Sequence, residues 1–168
     1  MVILAAADGE TTPDPVVRAG HEMATAHGEP LIVLHVMLQE RFDERWEAVS
    51  APDNAIASLA PGVQYERRGD SGGGEYTIED GEAHAEGVAR AVIEETLDDA
   101  DEATPVGRVG EVGSEVVAEA GRRDAAYLVI GGRKRSPVGK TLFGSTTQSV
   151  LLSADRPVLT VMGDGDDA

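Results

Sequence analysis

The chain has 168 residues and a mass of 17.6 kDa, which is enough for one well-buried domain and too little for two ordinary ones. Hydrophobic residues make up 41% of it, but the longest apolar run, at 2–7, is far shorter than the roughly 20 residues of a membrane-spanning helix. That run has no basic flank before it, so we predict that it is not a signal peptide. The lack of cysteine excludes disulfides and cysteine zinc sites. We expect a single cytoplasmic domain.

The chain is strongly acidic, with 31 acids, 14 bases and a net charge of -17. Binding to nucleic acid or to an anionic membrane is disfavoured, because both depend on a basic surface. Only Lys134 and Lys140 are lysines, and the other bases are arginines. This composition favours a halophilic, salt-adapted protein, in which concentrated salt screens the repulsion between carboxylates; the alternative is an acidic protein from an ordinary environment.

The first part of the chain predicts two buried strands that flank a helix. The runs Val2–Ala7 and Leu31–Val36 are short and continuously apolar, as buried parallel strands are. Between them, apolar residues recur at helical spacing after a proline-containing start at 12–15, and Gly28 ends the helix.

Residues 38–82 interrupt this rhythm. A short helix fits 41–49, around Trp46, but the prolines that follow and the glycine-rich stretch at 69–74 are typical of a flexible insertion. The alternation resumes at Glu82 with an amphipathic helix that runs to Leu97.

The remaining chain predicts three more strands and two more helices. A weak strand at 106–109 precedes a helix that Ser114 caps, and a strand at 127–130 precedes a helix that Ser145 caps. The last strand, at 158–162, leads into an acidic tail at 163–168.

This order of elements predicts the α/β class, with a single doubly wound, five-stranded parallel sheet and helices on both faces. Such sheets bind ligands beyond the carboxyl ends of their strands, at the point where the strand order reverses. The candidate ligand contacts are therefore the residues that follow Ala7, Val36 and Ile130.

One basic cluster stands out in this acidic chain. Four of the 14 bases lie within eight residues, after the strand at 127–130; they are Arg133, Lys134, Arg135 and Lys140. This concentration indicates an anionic ligand. Helix N-termini bind anions through free N–H groups, Gly144 would let a phosphate approach the backbone, and the hydroxyls of Ser145 and Thr146 could donate hydrogen bonds. Alternatively, Gly144 and Ser145 only turn and cap the helix, while the bases pair with nearby acids.

Residues 134–141 nearly match a Walker A phosphate-binding loop. The stretch K-R-S-P-V-G-K-T has Lys134 in place of the first glycine, and Pro137 would remove one N–H donor. We interpret the match as coincidental.

Several stretches resemble the universal stress protein family. Its carboxyl-terminal signature is similar to L-V-I-G-G-R-K-R-S-P-V-G-K-T-L-F-G-S-T-T-Q-S-V at 128–150 and to R-P-V-L-T-V at 156–161, and its amino terminus is similar to 2–9 and 31–36. The resemblance covers about 1–37 and 82–162 and implies one domain over 1–162. It also implies an adenine nucleotide alpha hydrolase-like fold with strand order 3-2-1-4-5, and ATP or AMP as ligand, with or without Mg²⁺.

The nucleotide-binding branch of that family carries a glycine, two residues, a second glycine, nine residues and then Gly-Ser. Gly131 takes the first place and Gly144-Ser145 the last, with Lys134 in place of the second glycine. If that position has a positive φ, a lysine there costs about 1–2 kcal/mol and projects a side chain towards the ligand. Alternatively, its ammonium meets a phosphate directly.

The same resemblance assigns two further contacts and a dimer interface. Asp8 would contact the adenine or ribose side and Val36 would line the base pocket, although Asp8 could instead cap the turn at 8–12 and Val36 could only pack in the core. Arg133 and Thr146 complete the predicted nucleotide site. The last strand, Val158 to Met162, pairs across a homodimer in the family; alternatively the acidic tail protects this sheet edge.

Three functions are compatible with these observations. The first is a homodimeric stress-response module that binds an adenine nucleotide at 131–146, with at most slow ATP hydrolysis because no general base is evident. The second is a universal stress homodimer without nucleotide, acting through protein partners, which Lys134 supports. The third is a phosphate-transferring enzyme with Asp8 as its acid or base. The four histidines have neither metal-ligand spacing nor an adjacent nucleophile, so we predict no metal site and no catalytic triad.

Overall fold

The sheet is built from Val2–Ala6 (β1), Leu31–Leu38 (β2), Ala103–Gly110 (β3), Ala125–Arg133 (β4) and Val158–Gly163 (β5). The helices are Pro15–His27 (α1), Gln39–Ser50 (α2), Ile78–Thr96 (α3), Val112–Arg122 (α4) and Ser145–Ser153 (α5), with a short 3₁₀ turn at Ala100–Glu102. These bounds come from a computed structural model, which describes residues 1–50, 76–133 and 143–163. All strand pairs are parallel, in the order β3-β2-β1-β4-β5, so the predicted fold class and strand order are confirmed.

The sheet is buried on both faces, which explains why its central strands are continuously apolar. One face packs against α1 and α3 through residues such as Val17, Val33 and Ile93. The other face packs against α4 and α5 through residues such as Leu34 and Val116. Helices therefore cover both faces, as the alternation of strands and helices predicts.

The predicted signals at both ends of α1 are confirmed. Asp14 is its N-cap and accepts hydrogen bonds from the amides of Val16 and Val17, and Pro15 occupies the first helical position. Gly28 closes the helix with φ 65°, a left-handed conformation that favours glycine.

The short helix predicted at 41–49 is confirmed as α2, whereas the helix predicted from Glu82 begins earlier. Helix α2 follows β2 directly, and its Phe42 is buried against Met37 and Ala85. Helix α3 begins at Ile78 rather than Glu82, because Thr77 and Asp80 form a reciprocal capping box. The glycine-rich part of the proposed insertion lies outside the described residues.

Both predicted serine caps are wrong. Helix α4 is capped by Glu111, whose carboxylate accepts hydrogen bonds from the amides of Gly113 and Ser114 and from the Ser114 hydroxyl. Helix α5 has Gly144 as its N-cap, because Gly144 is the last residue with extended backbone angles, and Ser145 is already helical. In the part of the chain that the structure describes, no helix is long and apolar enough to cross a membrane.

Candidate functional site

The strand order reverses between β1 and β4. The chain winds from β1 to β2 and β3 on one side, and then continues with β4 and β5 on the other side. The register of β1 with β4 ends at Ala5 and Val129, whereas β4 stays paired with β5 as far as Arg133. The end of β4 thus extends beyond β1, at the place where open α/β sheets bind ligands. We call this region the carboxyl edge; it comprises Asp8, Gly131 and residues 144–147.

Among the described residues, no side chain caps the N-terminus of α5, which lies at the carboxyl edge. Gly144 makes no side-chain capping hydrogen bond, and the first intrahelical bond runs from the Gln148 amide to the Gly144 carbonyl at 2.9 Å. Ser145 and Thr146 are exposed, and a Cβ added at Gly144 would meet nothing within 4 Å. The amides of the first turn and the positive end of the helix dipole can therefore receive an anion.

Thr147 connects this helix to the end of β4. Its hydroxyl donates a 2.9 Å hydrogen bond to the carbonyl of Gly131, and the residue is only 7% exposed. This bond brings together two residue groups that the sequence predicts for one site, Gly131 and the start of α5. Thr147 itself was not predicted, because its sequence context does not distinguish it from the neighbouring Thr146.

Asp8 stabilises the turn that follows β1. Its carboxylate accepts hydrogen bonds from the amides of Glu10 and Thr11, at 2.8 and 2.9 Å, and from the Thr11 hydroxyl at 3.1 Å. The turn-capping alternative is therefore realised in the structure, and Asp8 is exposed at the end of β1. Burial raises the pKa of the nearby Asp14 carboxyl, and the negative charge of Asp8 adds to this effect.

His35 and Gly9 hold the backbone of this turn in place. The Nδ1 atom of His35 lies 3.1 Å from the carbonyl oxygen of Ala7, so Nδ1 carries the proton and donates a hydrogen bond to that oxygen. Gly9 has φ 77°, and a Cβ there would lie 2.7 Å from Val88 Cγ1 and 2.8 Å from His35 Cε1. Only glycine fits this position without a shift of its neighbours.

The other predicted contacts differ in how far the structure describes them. Val36 is 7% exposed and packs in the core with Leu34 and Ile130, and its contact with a base stays a prediction. Arg133 is the last residue of β4. Lys134 and the other bases of the predicted cluster lie outside the described residues. Among the described residues, no group of three or more histidines and acids is arranged to hold a metal ion.

A second charged cluster lies away from the carboxyl edge, around the buried Glu119 of α4. Its carboxylate accepts hydrogen bonds from the Nε atoms of Arg108, Arg122 and Arg123 at 3.0, 2.8 and 2.8 Å. Burial raises the pKa of Glu119, but the three arginines lower it more, so the net pKa lies below its ordinary value. The cluster therefore keeps Glu119 ionised and joins α4 to β3.

The same cluster covers the β3 edge of the sheet. A groove of about 300 Å³ is lined by residues of α3 and of this edge, among them Arg108, whose guanidinium lies 3.5 Å from the Glu82 carboxylate. The Arg108 guanidinium also donates a 3.1 Å hydrogen bond to the carbonyl of Gly107, and Pro105 has no N–H to offer. These features block the addition of another strand at β3.

Comparisons with known proteins agree with the fold described above. The model of the universal stress protein family matches residues 1–162. A universal stress protein of Mycolicibacterium smegmatis is 55% identical over 42 residues, which are 25% of this chain and 32% of that protein. The chain thus covers about a third of the length of this curated relative.

Solved structures of universal stress proteins match over nearly the whole chain. One from Archaeoglobus fulgidus is 26% identical, covers 95% of this chain and 97% of its own, and has a TM-score of 0.55. A universal stress protein solved in complex with cAMP is 20% identical, with 98% of each chain covered and a TM-score of 0.52. The Archaeoglobus fulgidus protein in complex with dAMP is 22% identical, with 95% and 96% covered and a TM-score of 0.50.

Proposed function

We propose that this chain, which belongs to the universal stress protein family, is a module that binds an adenine nucleotide at its carboxyl edge. The phosphate group would lie at the N-terminus of α5, and AMP or ATP, the latter with or without Mg²⁺, would be the ligand. Two universal stress proteins of the same fold are solved in complex with cAMP and with dAMP, which supports a ligand of this class.

The observation that carries the proposal is that, among the described residues, no side chain caps the first turn of α5 beside the end of β4. Helix α4, in contrast, has its first amides occupied by the Glu111 carboxylate. The hydroxyls of Ser145 and Thr146 are exposed at the start of α5. A phosphate would supply the missing acceptor.

Charge also favours a phosphate at this end of the helix over the Asp8 side. Asp8 is close enough to Asp14 to raise the pKa of that carboxyl, so the turn after β1 carries negative potential. The helix dipole of α5 lies on the β4 side. We therefore propose that the phosphate lies on α5 and the nucleoside towards Asp8.

A charge substitution at Ser145 tests this placement. In Ser145→Asp a carboxylate would stand about 5 Å from the phosphate, which costs about 3 kcal/mol before screening at an effective dielectric of about 20. We expect at least tenfold weaker AMP binding by calorimetry at about 0.1 M KCl, where a screening length of about 10 Å leaves most of this repulsion. Thermal stability should be unchanged or slightly higher, because an acid in the first turn suits the helix dipole. Gln148→Glu adds the same charge one turn further along and should retain the affinity. Equal affinities for both variants would contradict the placement.

Lys134 provides a separate test of the ligand site. We propose that its ammonium contributes to phosphate binding, so Lys134→Gly, which restores the glycine pattern of the family, should weaken AMP binding. Tighter binding by the glycine variant would instead mean that lysine strains the loop. The nucleotide content of the purified protein, released by denaturation and separated by ion-exchange chromatography, shows which nucleotide the wild-type protein carries from the cell.

A second function, homodimer formation through β5, is favoured by a difference between the two sheet edges. The β3 edge carries Pro105 and Arg108, which disfavour the addition of another strand, whereas β5 pairs only with β4 among the described strands and carries Leu159, which is 40% exposed. A partner's β5 would pair with this edge and cover that leucine. If the protein acts without nucleotide, this surface is its functional feature.

Light scattering tests the dimer. Leu159→Lys should shift the protein towards the monomer, whereas Val49→Lys should not, because Val49 is 59% exposed on α2 and far from β5 in the chain's architecture. A wild-type monomer at micromolar concentration, or a Leu159→Lys dimer as stable as wild type, would contradict this proposal.

A further inference from the structure

Thr147 is a buried polar residue at a position where the fold alone does not require a polar side chain. It is the third residue of α5, and buried positions of helices are usually occupied by apolar residues rather than by threonine. Here the hydroxyl reaches out of the helix to the Gly131 carbonyl at 2.9 Å instead of bonding within its own helix. The side chain therefore connects two segments that are 16 positions apart in the chain.

The position of this bond matters because the other described contacts that hold α5 in place are made by residues further along the helix. Val150 packs in the core, and Ser149 lies against Gly113, where an added Cβ would come within 2.8 Å of its Oγ. Both contacts lie beyond the first turn. The bond from Thr147 is the one that holds the first turn itself, among the contacts described for 143–163.

We propose that Thr147 is a positioning residue for the nucleotide phosphate. It fixes the first-turn amides of α5 relative to the end of β4, so that the helix N-terminus and Gly131 form one preorganised anion site. This inference rests on the proposed function for its effect on nucleotide affinity. Preorganisation lowers the entropic cost of binding, because the ligand does not have to immobilise the helix end.

Three variants separate this role from general stability. Thr147→Val keeps the shape of the side chain but removes the donor, and Thr147→Ser keeps the donor. Val150→Ala removes core volume from a residue that is 1% exposed in the same helix, without touching the first turn. Each variant is titrated with AMP by calorimetry in molar KCl, and its melting temperature is measured.

The expected result is at least fivefold weaker AMP binding by Thr147→Val and affinities within twofold of wild type for Thr147→Ser and Val150→Ala. Val150→Ala should nevertheless melt at a lower temperature than wild type. A purely structural role of Thr147 predicts that affinity follows melting temperature across the set. If wild type binds AMP and Thr147→Val binds it equally well, the positioning role is refuted while the proposed function stands.

Amide hydrogen exchange without nucleotide keeps the two proposals distinguishable. The Gln148 amide donates to Gly144 at 2.9 Å and reports on the first turn of α5, and the Glu115 amide, which donates to Glu111 at 3.0 Å, is the equivalent reporter in α4. In Thr147→Val the Gln148 amide should exchange at least fivefold faster, with no change at Glu115 and with rescue in Thr147→Ser. If wild type binds no nucleotide, the proposed function fails, and unchanged Gln148 exchange would then refute the positioning role as well.

Discussion

Replacing the buried Glu119 with glutamine should destabilise the protein substantially. The Glu119 side chain is 0% exposed and accepts three charge-assisted hydrogen bonds, at 3.0, 2.8 and 2.8 Å. In Glu119→Gln one oxygen becomes an NH₂ group that points at an arginine donor, and the negative charge is lost. Breaking a buried ion pair costs about 3–5 kcal/mol.

The expected loss is smaller than this range, because solvent reaches the arginines. Arg108, Arg122 and Arg123 are 24%, 47% and 41% exposed, so water can solvate part of their freed donors. We expect a loss of about 2–3 kcal/mol, comparable with one or two charged hydrogen bonds. For a domain of this size the melting temperature should fall by about 5–10 °C.

Urea denaturation followed by circular dichroism measures this loss. At about 1 M KCl the screening length is about 3 Å, so exposed pairs contribute little and the buried cluster dominates the difference. Glu95→Gln, at an exposed position of α3, should change the free energy of unfolding by less than about 0.5 kcal/mol. A Glu119→Gln midpoint equal to that of Glu95→Gln would refute the role of the cluster.

The pH dependence should follow from the direction of the Glu119 pKa shift. Because the folded pKa lies below the ordinary value of 4.5, the unfolded chain binds more protons in that range. The contribution of Glu119 is therefore fully present above pH 4.5 and is lost as the pH falls through the folded pKa. The difference in stability between wild type and Glu119→Gln should shrink towards acid pH; a difference that grows would contradict the assignment.

Two other substitutions test the packing around the candidate site by urea denaturation. Asp14→Ala removes the buried N-cap of α1 and should cost about 1–2 kcal/mol, with Asp14→Asn losing less; equal losses would contradict capping as the cause. Gly107→Ala places a Cβ against the backbone of Glu82 and Glu86, so α3 must shift, at a cost above about 2 kcal/mol. Gly87 lies in α3 itself and has open space around it, so Gly87→Ala should be neutral or stabilise the protein by up to about 1 kcal/mol. Similar midpoints for these two glycine variants would contradict the close packing of α3 on β3.

The order of the elements could be predicted from the sequence, because hydrophobic periodicity and turn residues are local signals. The start of α3 was also readable in principle, since Thr77 and Asp80 have the spacing of a capping box. Strand β3 was predicted too short because Pro105 reads as a strand breaker. Its strand conformation depends on pairing with β2, and a sheet edge tolerates a proline.

The location of the candidate site in the fold could be predicted from the sequence, but the contacts between its residues could not. The topology of a doubly wound sheet points to the carboxyl ends of β1 and β4, and this identifies Asp8 and Gly131. The role of Thr147 depends on which face of α5 is buried and how far it lies from Gly131, and neither is encoded in a local pattern. The burial of Glu119 was hidden for the same reason, because one of its arginine partners, Arg108, comes from β3.

The placement of a phosphate at the start of α5 can be tested directly by nuclear magnetic resonance. In a titration of the full-length ¹⁵N-labelled protein with AMP, we predict saturable shifts of the Ser145, Thr146 and Thr147 amides. The Gly113 and Ser114 amides of α4 should shift much less, because they already donate hydrogen bonds to the Glu111 carboxylate. Inorganic phosphate should move the same α5 amides in the same direction. If AMP leaves the α5 amides unshifted, whether it binds elsewhere or not at all, the phosphate does not lie at this helix and the central claim is wrong.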